Sequence, residues 1–345
     1  MSSSFAKNTL PMAALLTVLT SSQGLLTTAS KTKGTYAYNF ATVPFLAELV
    51  KLFISWNLLQ QQKRDNPDQA RMTKDWKTVL LFPVPSLIYG IHNNVQFHFL
   101  KYVDPATYQI LGNLKIVSTG VLLRLCLQRR LSLLQWMALV LLMVGATTSQ
   151  INTDCSGGAE KSFLSAPLQG YLFGLLSALL SAVAAVYTEW VMKSNNDSLY
   201  WQNCLLYSFG VLFNGAGLVF SGGSGLDLSV FSHKRIFEGY TSITWLVVCN
   251  LAFSGLLVSW VMKFADSIVK VYATSLAMLL TTVVSILCFG LEPTLPLGLG
   301  ILVASISVVL YYVSPARLAQ VDSPRVAGHY EKLQPFTDTG GKLPK

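Results

Sequence analysis

Ten apolar stretches, each long enough to cross a bilayer, recur along this chain and leave few folds open to it. They fall near 9–29, 37–58, 77–99, 105–127, 132–150, 168–191, 201–220, 241–262, 266–289 and 295–313. At about 1.5 Å per residue, a helix of roughly 20 residues covers a hydrocarbon core of about 30 Å. Short polar breaks separate the stretches, and charged residues make up only 12% of the 345. Ordinary soluble domains carry roughly 25%. A soluble domain of this length has no need for repeated runs of bilayer-spanning length. The expectation is an all-α integral membrane protein with ten transmembrane helices.

Several stretches are rich in small residues, as in the segment Ser177 to Ala185, and Gly170 and Gly174 have helix-contact spacing. Without a hydrophobic force between helices in lipid, small residues let backbones approach closely. Lys7 ahead of an apolar run has the look of a signal peptide. The length of that run, Gln23 and Gly24 within it, and the lack of a small-x-small cleavage site favour a membrane span.

Ten spans place both termini on one side. If that side is cytosolic, its segments hold sixteen Lys and Arg against six on the opposite side, with Lys51, Lys115 and Lys270 left inside spans. Cytosolic loops of membrane proteins carry such an excess. The loop bias accounts for most of the +9 formal charge without a nucleic-acid partner. The sequon Asn196-Asp197-Ser198 then faces the cytosol and is expected to go unused.

An internal echo divides the chain in two. Leu100-Lys-Tyr-Val-Asp104 opens the fourth span and Met262-Lys-Phe-Ala-Asp266 opens the ninth. Five helices per copy is an odd number, so the second copy must be inverted, as in transporters that rock around a midplane site. The expected division is a first five-helix repeat over 1–153, a luminal connection over 154–167, a second and inverted repeat over 168–315, and a polar cytosolic tail over 316–345.

A charge at a helix centre costs about 2.5–3.5 kcal/mol on insertion scales and needs a reason. Glu48 and Lys51, three apart on the second span, read as a structural ion pair on one helix face. Glu189 lies four residues before Lys193 and reads as a second local pair. Lys115 and Lys270 have no acidic residue three or four positions away except Asp266, at the mouth of the ninth span. By helix rise Lys115 lies roughly 16 Å and Lys270 roughly 6 Å from opposite faces, so their depths differ by only about 8 Å. Two such ammonium groups at similar depth predict an anionic ligand, and phosphate fits. Tyr108, two turns before Lys115, joins them, with Asn93 in the third span, Asn203 and Tyr207 in the seventh and Ser259 in the eighth. Amides read base edges and tyrosines stack on rings, although each such residue serves interhelical packing equally well.

Four of the five cysteines lie inside spans, and only Cys155 is in a loop, so there is no disulfide framework. The four histidines lack metal-ligand spacing. Neither a metal nor a cofactor is expected. An intramembrane enzyme would need a metal cluster, paired carboxylates or a nucleophile with its base, and the sequence offers none of these.

At Tyr108-Gln-x-x-x-x-Leu-Lys115 the chain resembles the nucleotide-sugar transporter family, in its CMP-sialic acid and UDP-galactose branch. Tyr89-Gly-Ile-His-Asn-Asn94, Val186-Tyr-Thr-Glu189, Trp201-Gln-Asn203 and the run from Lys263 to Lys270 carry the same resemblance, which spans about 9–315. It implies a drug/metabolite-transporter fold in the Golgi membrane, exchanging a cytosolic nucleotide-sugar for a luminal nucleoside monophosphate. By resemblance Lys115 and Lys270 contact phosphate and ribose, and Tyr108, Asn93, Asn203, Tyr207 and Ser259 line the pocket for base and sugar. The chain departs from the family pattern at His92, where Gln is usual, at Gly112-Asn113, where Tyr-Gln is common, and at Val271-Tyr272, where Gly-Phe is usual.

The expected activity is antiport of a CMP-sugar such as CMP-sialic acid for CMP by alternating access. UDP-galactose or another UDP-sugar against UMP is the second reading, and an exporter that ignores nucleotides is the third. The lipid bilayer is the surrounding partner. A homodimer stays open, because small-residue motifs serve packing within a monomer as well as between copies.

Overall fold

The computed structural model describes residues 3–31, 36–103, 105–150, 167–194, 196–220, 228–289 and 293–312. The tail over 316–345, Asp104, and the 154–167 connection apart from Pro167 lie outside these residues. Among the described residues there is no strand, and thirteen α-helices follow one another. They are α1 Ser3–Ala29, α2 Thr42–Asp65, α3 Trp76–Val79, α4 Pro83–Tyr102, α5 Pro105–Gly112, α6 Leu114–Cys126 and α7 Leu133–Thr148. After these come α8 Leu168–Lys193, α9 Leu199–Phe220, α10 His233–Ile236, α11 Ser242–Phe264, α12 Ser267–Phe289 and α13 Leu295–Tyr312.

Seven of the described helices are long and apolar enough to cross a membrane: α1, α2, α8, α9, α11, α12 and α13. The remaining expected spans take other forms. The stretch 77–99 divides into the single turn of α3 and the 20-residue α4. Pro83 sets that start, since its fixed φ and missing N–H suit a first helical turn. The stretch 105–127 is interrupted at Asn113, leaving α5 of 8 residues and α6 of 13. The sixteen residues of α7 are apolar but short. Its start is defined by a capping box, Ser132 with Gln135, and that of α11 by another, Thr241 with Thr244.

Large apolar side chains face outward all around the bundle. Leu133, Leu287 and Leu295 are each more than three-quarters exposed, a surface that suits lipid rather than water. Inside, small residues set the contacts. A Cβ on Gly145 of α7 would stand 2.8 Å from the Ala304 backbone nitrogen of α13, and one on Gly300 would stand 2.6 Å from the Gly145 carbonyl. No side chain fits between these two backbones.

Polar side chains dock α1 onto distant partners. Asn250 of α11 donates to the Leu19 carbonyl at 2.9 Å and to Gln23 Oε1 at 2.7 Å, and accepts from Ser22 at 3.1 Å. Ser21 meets Thr281 of α12 at 3.0 Å. A second polar clasp joins the connection after α2 to the one after α8. Asp197 Oδ1 accepts from the Thr73 N–H and hydroxyl at 3.1 and 2.8 Å, the Ser198 N–H donates to the Arg71 carbonyl at 2.9 Å, and the Ser198 hydroxyl donates to Gln62. The sequon's Asp197 and Ser198 are therefore buried.

Candidate functional site

A cavity of about 130 Å³ opens among α4, α5, α6, α8 and α12. Each helix gives it one face. His92, Gln96 and Phe99 recur at helical spacing on α4, and Ser177, Ala178 and Ser181 come from α8. Tyr108 and Gly112 close α5, Asn113 sits at the break, Lys115 follows in the first turn of α6, and Met278 projects from α12. The break at Asn113 places Tyr108 and Lys115 on one wall despite the interruption between their helices. The Tyr108 ring packs against Phe99, with centroids 4.8 Å apart, and its hydroxyl is hydrogen-bonded to Gln96.

Lys270, one turn into α12, approaches this site from the other part of the chain. Its Nζ donates to the Tyr89 hydroxyl at 3.1 Å. Lys115 and Lys270 lie close enough to feel each other's charge, and both act on His92. His92 is buried, with Nδ1 3.5 Å from the Ser177 hydroxyl. Among the described residues no carboxylate forms an ion pair with either lysine. The arrangement is a polar cavity with Lys115 in its wall and Lys270 nearby but outside the wall, neither paired with a carboxylate among the described residues.

The other site expectations fall elsewhere. Tyr207 of α9 and Ser259 of α11 bond to each other at 2.6 Å, and the Tyr207 hydroxyl also donates to the Gly255 carbonyl at 3.2 Å. Lys51 Nζ lies 4.5 Å above the Tyr207 ring and 2.6 Å from Glu48 Oε1. This ion pair fits because two facing helices carry glycine. A Cβ on Gly210 of α9 would meet the Glu48 carboxylate at 2.6 Å, and one on Gly255 of α11 would meet the Lys51 chain at 2.8 Å. Asn203, four residues before Tyr207, is buried, and its Oδ1 has no hydrogen-bond partner among the described residues. Tyr207, with Ser259 bonded to it, packs against Lys51, and none of Asn203, Tyr207 and Ser259 is in the wall of the Lys115 cavity. Asn93 falls in α4, and its side chain lies outside the described residues.

His92, Gln96, Asn113, Ser177 and Ser181 line the cavity and were not singled out from sequence as site residues. The available signal was departure from pattern: His92 and Gly112-Asn113, two of the three positions that differ from the family resemblance, lie on the cavity wall. Ser177 and Ser181 gave no such signal, because small polar residues four apart also read as helix packing.

At the end of the bundle where α6 and α8 finish and α12 begins, the polar groups are paired. Arg129 Nη1 meets Asp266 Oδ2 at 2.7 Å. Burial disfavours the Arg129 charge, but the Asp266 carboxylate more than offsets this and raises its pKa above the ordinary arginine value. Glu189 makes the local pair with Lys193 expected from its spacing and takes further partners besides. It is fully buried, and while Oε1 accepts from Lys193 at 2.7 Å, Oε2 accepts from the Ser267 N–H at 2.7 Å and its hydroxyl at 2.6 Å.

Comparison with known proteins places these features in context. The family model described as nucleotide-sugar transporter matches residues 7–312. The "CMP-sialic acid transporter 1" of Oryza sativa subsp. japonica is 55% identical over 312 residues, covering 90% of this chain and 96% of the relative. A protein of the same name from Arabidopsis thaliana is 56% identical over 322 residues, covering 91% and 92%. A solved crystal structure only 12% identical superposes with a TM-score of 0.61 over 89% of this chain and 97% of its own, a likeness of fold alone.

Proposed function

The chain belongs to the nucleotide-sugar transporter family, whose members are membrane transporters and not enzymes, and from that premise we propose that it exchanges a CMP-linked sugar for CMP. The cargo on this reading is CMP-sialic acid or a similar CMP-sugar, because relatives more than half identical carry that name. The observation that carries the mechanism is Lys115 on α6, in the wall of a polar cavity, with Lys270 of α12 close enough to act on it and no carboxylate paired with either among the described residues. A phosphate supplies the missing charge, and Tyr108 and the amides nearby are suited to base and ribose.

The protein on this reading works by alternating access in the Golgi membrane. Its ten spans are formed when α5 and α6 act together as the fourth and when α4 and α7 complete the first half. Two inverted five-helix repeats meet at the cavity, with Lys115 from one and Lys270 from the other. Both termini are cytosolic, in keeping with the Lys and Arg excess on that side. Ligand binding stabilises an occluded state. Return without cargo leaves the two lysines uncompensated, so return with a nucleoside monophosphate is favoured.

Thermal unfolding of purified protein with CMP, UMP, GMP and AMP tests the reading. A ligand that binds only the folded state at a hundred times its Kd stabilises it by about 2.7 kcal/mol. CMP is expected to raise the melting temperature, and Lys115→Ala to abolish the rise. A rise with UMP in place of CMP moves the assignment to UDP-sugars such as UDP-galactose. No rise with any nucleotide overturns the reading in favour of an exporter of other cargo.

A further inference from the structure

The cavity and the densest polar network lie toward opposite ends of the same helices. Gln96 and Phe99 sit in the last turns of α4, Ser177 and Ala178 in the first half of α8, and Tyr108 and Gly112 on α5, which begins just after α4 ends. The cavity therefore extends toward the end where α4 finishes and α8 starts. At the other end, where α6 and α8 finish and α12 starts, the Arg129–Asp266 pair and the Glu189 hydrogen bonds converge on the short break between α11 and α12. Lys193 adds a bond to the Ala265 carbonyl, and Lys263 adds one to the Met192 carbonyl at 2.7 Å.

The members of this network differ in origin. Glu189, Lys193, Lys263, Asp266 and Ser267 all come from α8 onward. Arg129 comes from the connection between α6 and α7, on the side of the sequence that holds Lys115. That connection is built to present it. Gln128 takes a left-handed φ of 55°, and the Arg129 N–H turns back to the Leu123 carbonyl at 3.2 Å, a helix C-terminal motif that fixes where the next side chain leaves. Asp266 is tied in turn to the helix of the second cation. Its Oδ1 accepts from the Val269 N–H at 2.9 Å, and Lys270 follows one turn later.

The geometry points to Arg129 and Asp266 as a latch that holds this end of the transporter shut while the cavity is open toward the other end. Releasing it frees α12 from the α6–α7 connection without unwinding a helix, since the bond that breaks joins one side chain in a loop to one at a helix N-terminus. Asp266 and Lys270 share the first turns of α12, so the opening that separates Arg129 from Asp266 also moves one of the two cations that face the ligand. Arg129 and Asp266 are positioning residues that select which side reaches the lysines. The latch rests on the alternating-access reading above but does not depend on which nucleotide is carried.

Two reporter cysteines test it in protein whose Cys126, Cys155, Cys204, Cys249 and Cys288 have been replaced. Ser177→Cys reports access to the cavity, and Ile268→Cys, fully buried beside the latch, reports access at the closed end. Labelling rates with a soluble maleimide are compared with and without Arg129→Gln. Loss of one charge-assisted bond shifts a two-state population by about tenfold. The rate at Ile268→Cys is therefore expected to rise by about that factor while the rate at Ser177→Cys falls, and Arg129→Lys is expected to restore both. Unchanged rates, or a rise at both reporters as in general loosening, overturn the latch. If the rates move in opposite directions but CMP stabilises neither protein, the latch stands and the CMP assignment falls.

Discussion

The chain buries lysine in two places and treats it in opposite ways. Lys51 is held 2.6 Å from Glu48, roofed by the Tyr207 ring, and seated between Gly210 and Gly255, whose missing side chains make the room. Lys115 stands on the wall of a cavity and Lys270 donates to the Tyr89 hydroxyl, like charges near each other with no carboxylate paired to either among the described residues. The first arrangement is complete without a ligand and the second is not. Neutralisation within the chain yields a fixed contact among α2, α9 and α11. On the proposed reading, neutralisation is deferred to a ligand at Lys115 and Lys270, and the free energy of that site depends on what is bound. Intramembrane charge is thus a sign of function only when the chain itself does not supply the counter-charge.

Three substitutions can break or sharpen this contrast. Glu48→Gln leaves the Lys51 ammonium buried without its carboxylate, and removing one partner of a buried pair costs about 3 kcal/mol or more. The expected result is a large fall in the melting temperature of the ligand-free protein. Should Glu48→Gln melt like the parent, the pair is not a structural element and Lys51 belongs with the other two lysines. Lys115→Met is expected to act the other way. It removes an uncompensated charge, so ligand-free stability holds or rises, while nucleotide affinity measured by calorimetry falls about 10- to 100-fold, the worth of a charged hydrogen bond. Equal affinity in parent and variant would dissociate Lys115 from the ligand. The smallest effect is expected from Tyr89→Phe, which deletes the hydroxyl partner of Lys270. This hydroxyl accepts from a charged donor, a bond worth about 1.5 kcal/mol at the low end of its range, so affinity should change by no more than about tenfold in either direction, with a small fall in stability.

What could be read from the sequence follows this division. Lys115 and Lys270 stand out in one dimension, because any charge within an apolar run is conspicuous. That Lys270 comes near Lys115, although only Lys115 is in the cavity wall, depended on placing the spans. The Glu189–Lys193 pair was legible because both ends lie four residues apart, whereas the added partner Ser267 is 78 positions away and was not. Periodicity can assign a residue to a helix face but not say what that face meets, which is why Ser177 passed as a packing residue and Gln96 drew no notice. Tyr207 and Ser259 were expected beside Lys115, and the structure groups them with the neutralised pair. Helix ends were the other difficulty. Pro83 starts α4 later than the apolar run begins, and the break at Asn113 is invisible to a count of hydrophobic residues.

The docking of α1 bears on how the protein is made. Its polar contacts go to Asn250 and Thr281, residues 228 and 260 positions further along the chain. Synthesis proceeds at about 5–20 residues per second, so α1 is made about ten seconds or more before these two partners. Throughout that interval Ser21, Ser22 and Gln23 face lipid or a chaperone instead of α11 and α12. A chain that stops short of α11 therefore leaves the polar face of α1 without these two partners.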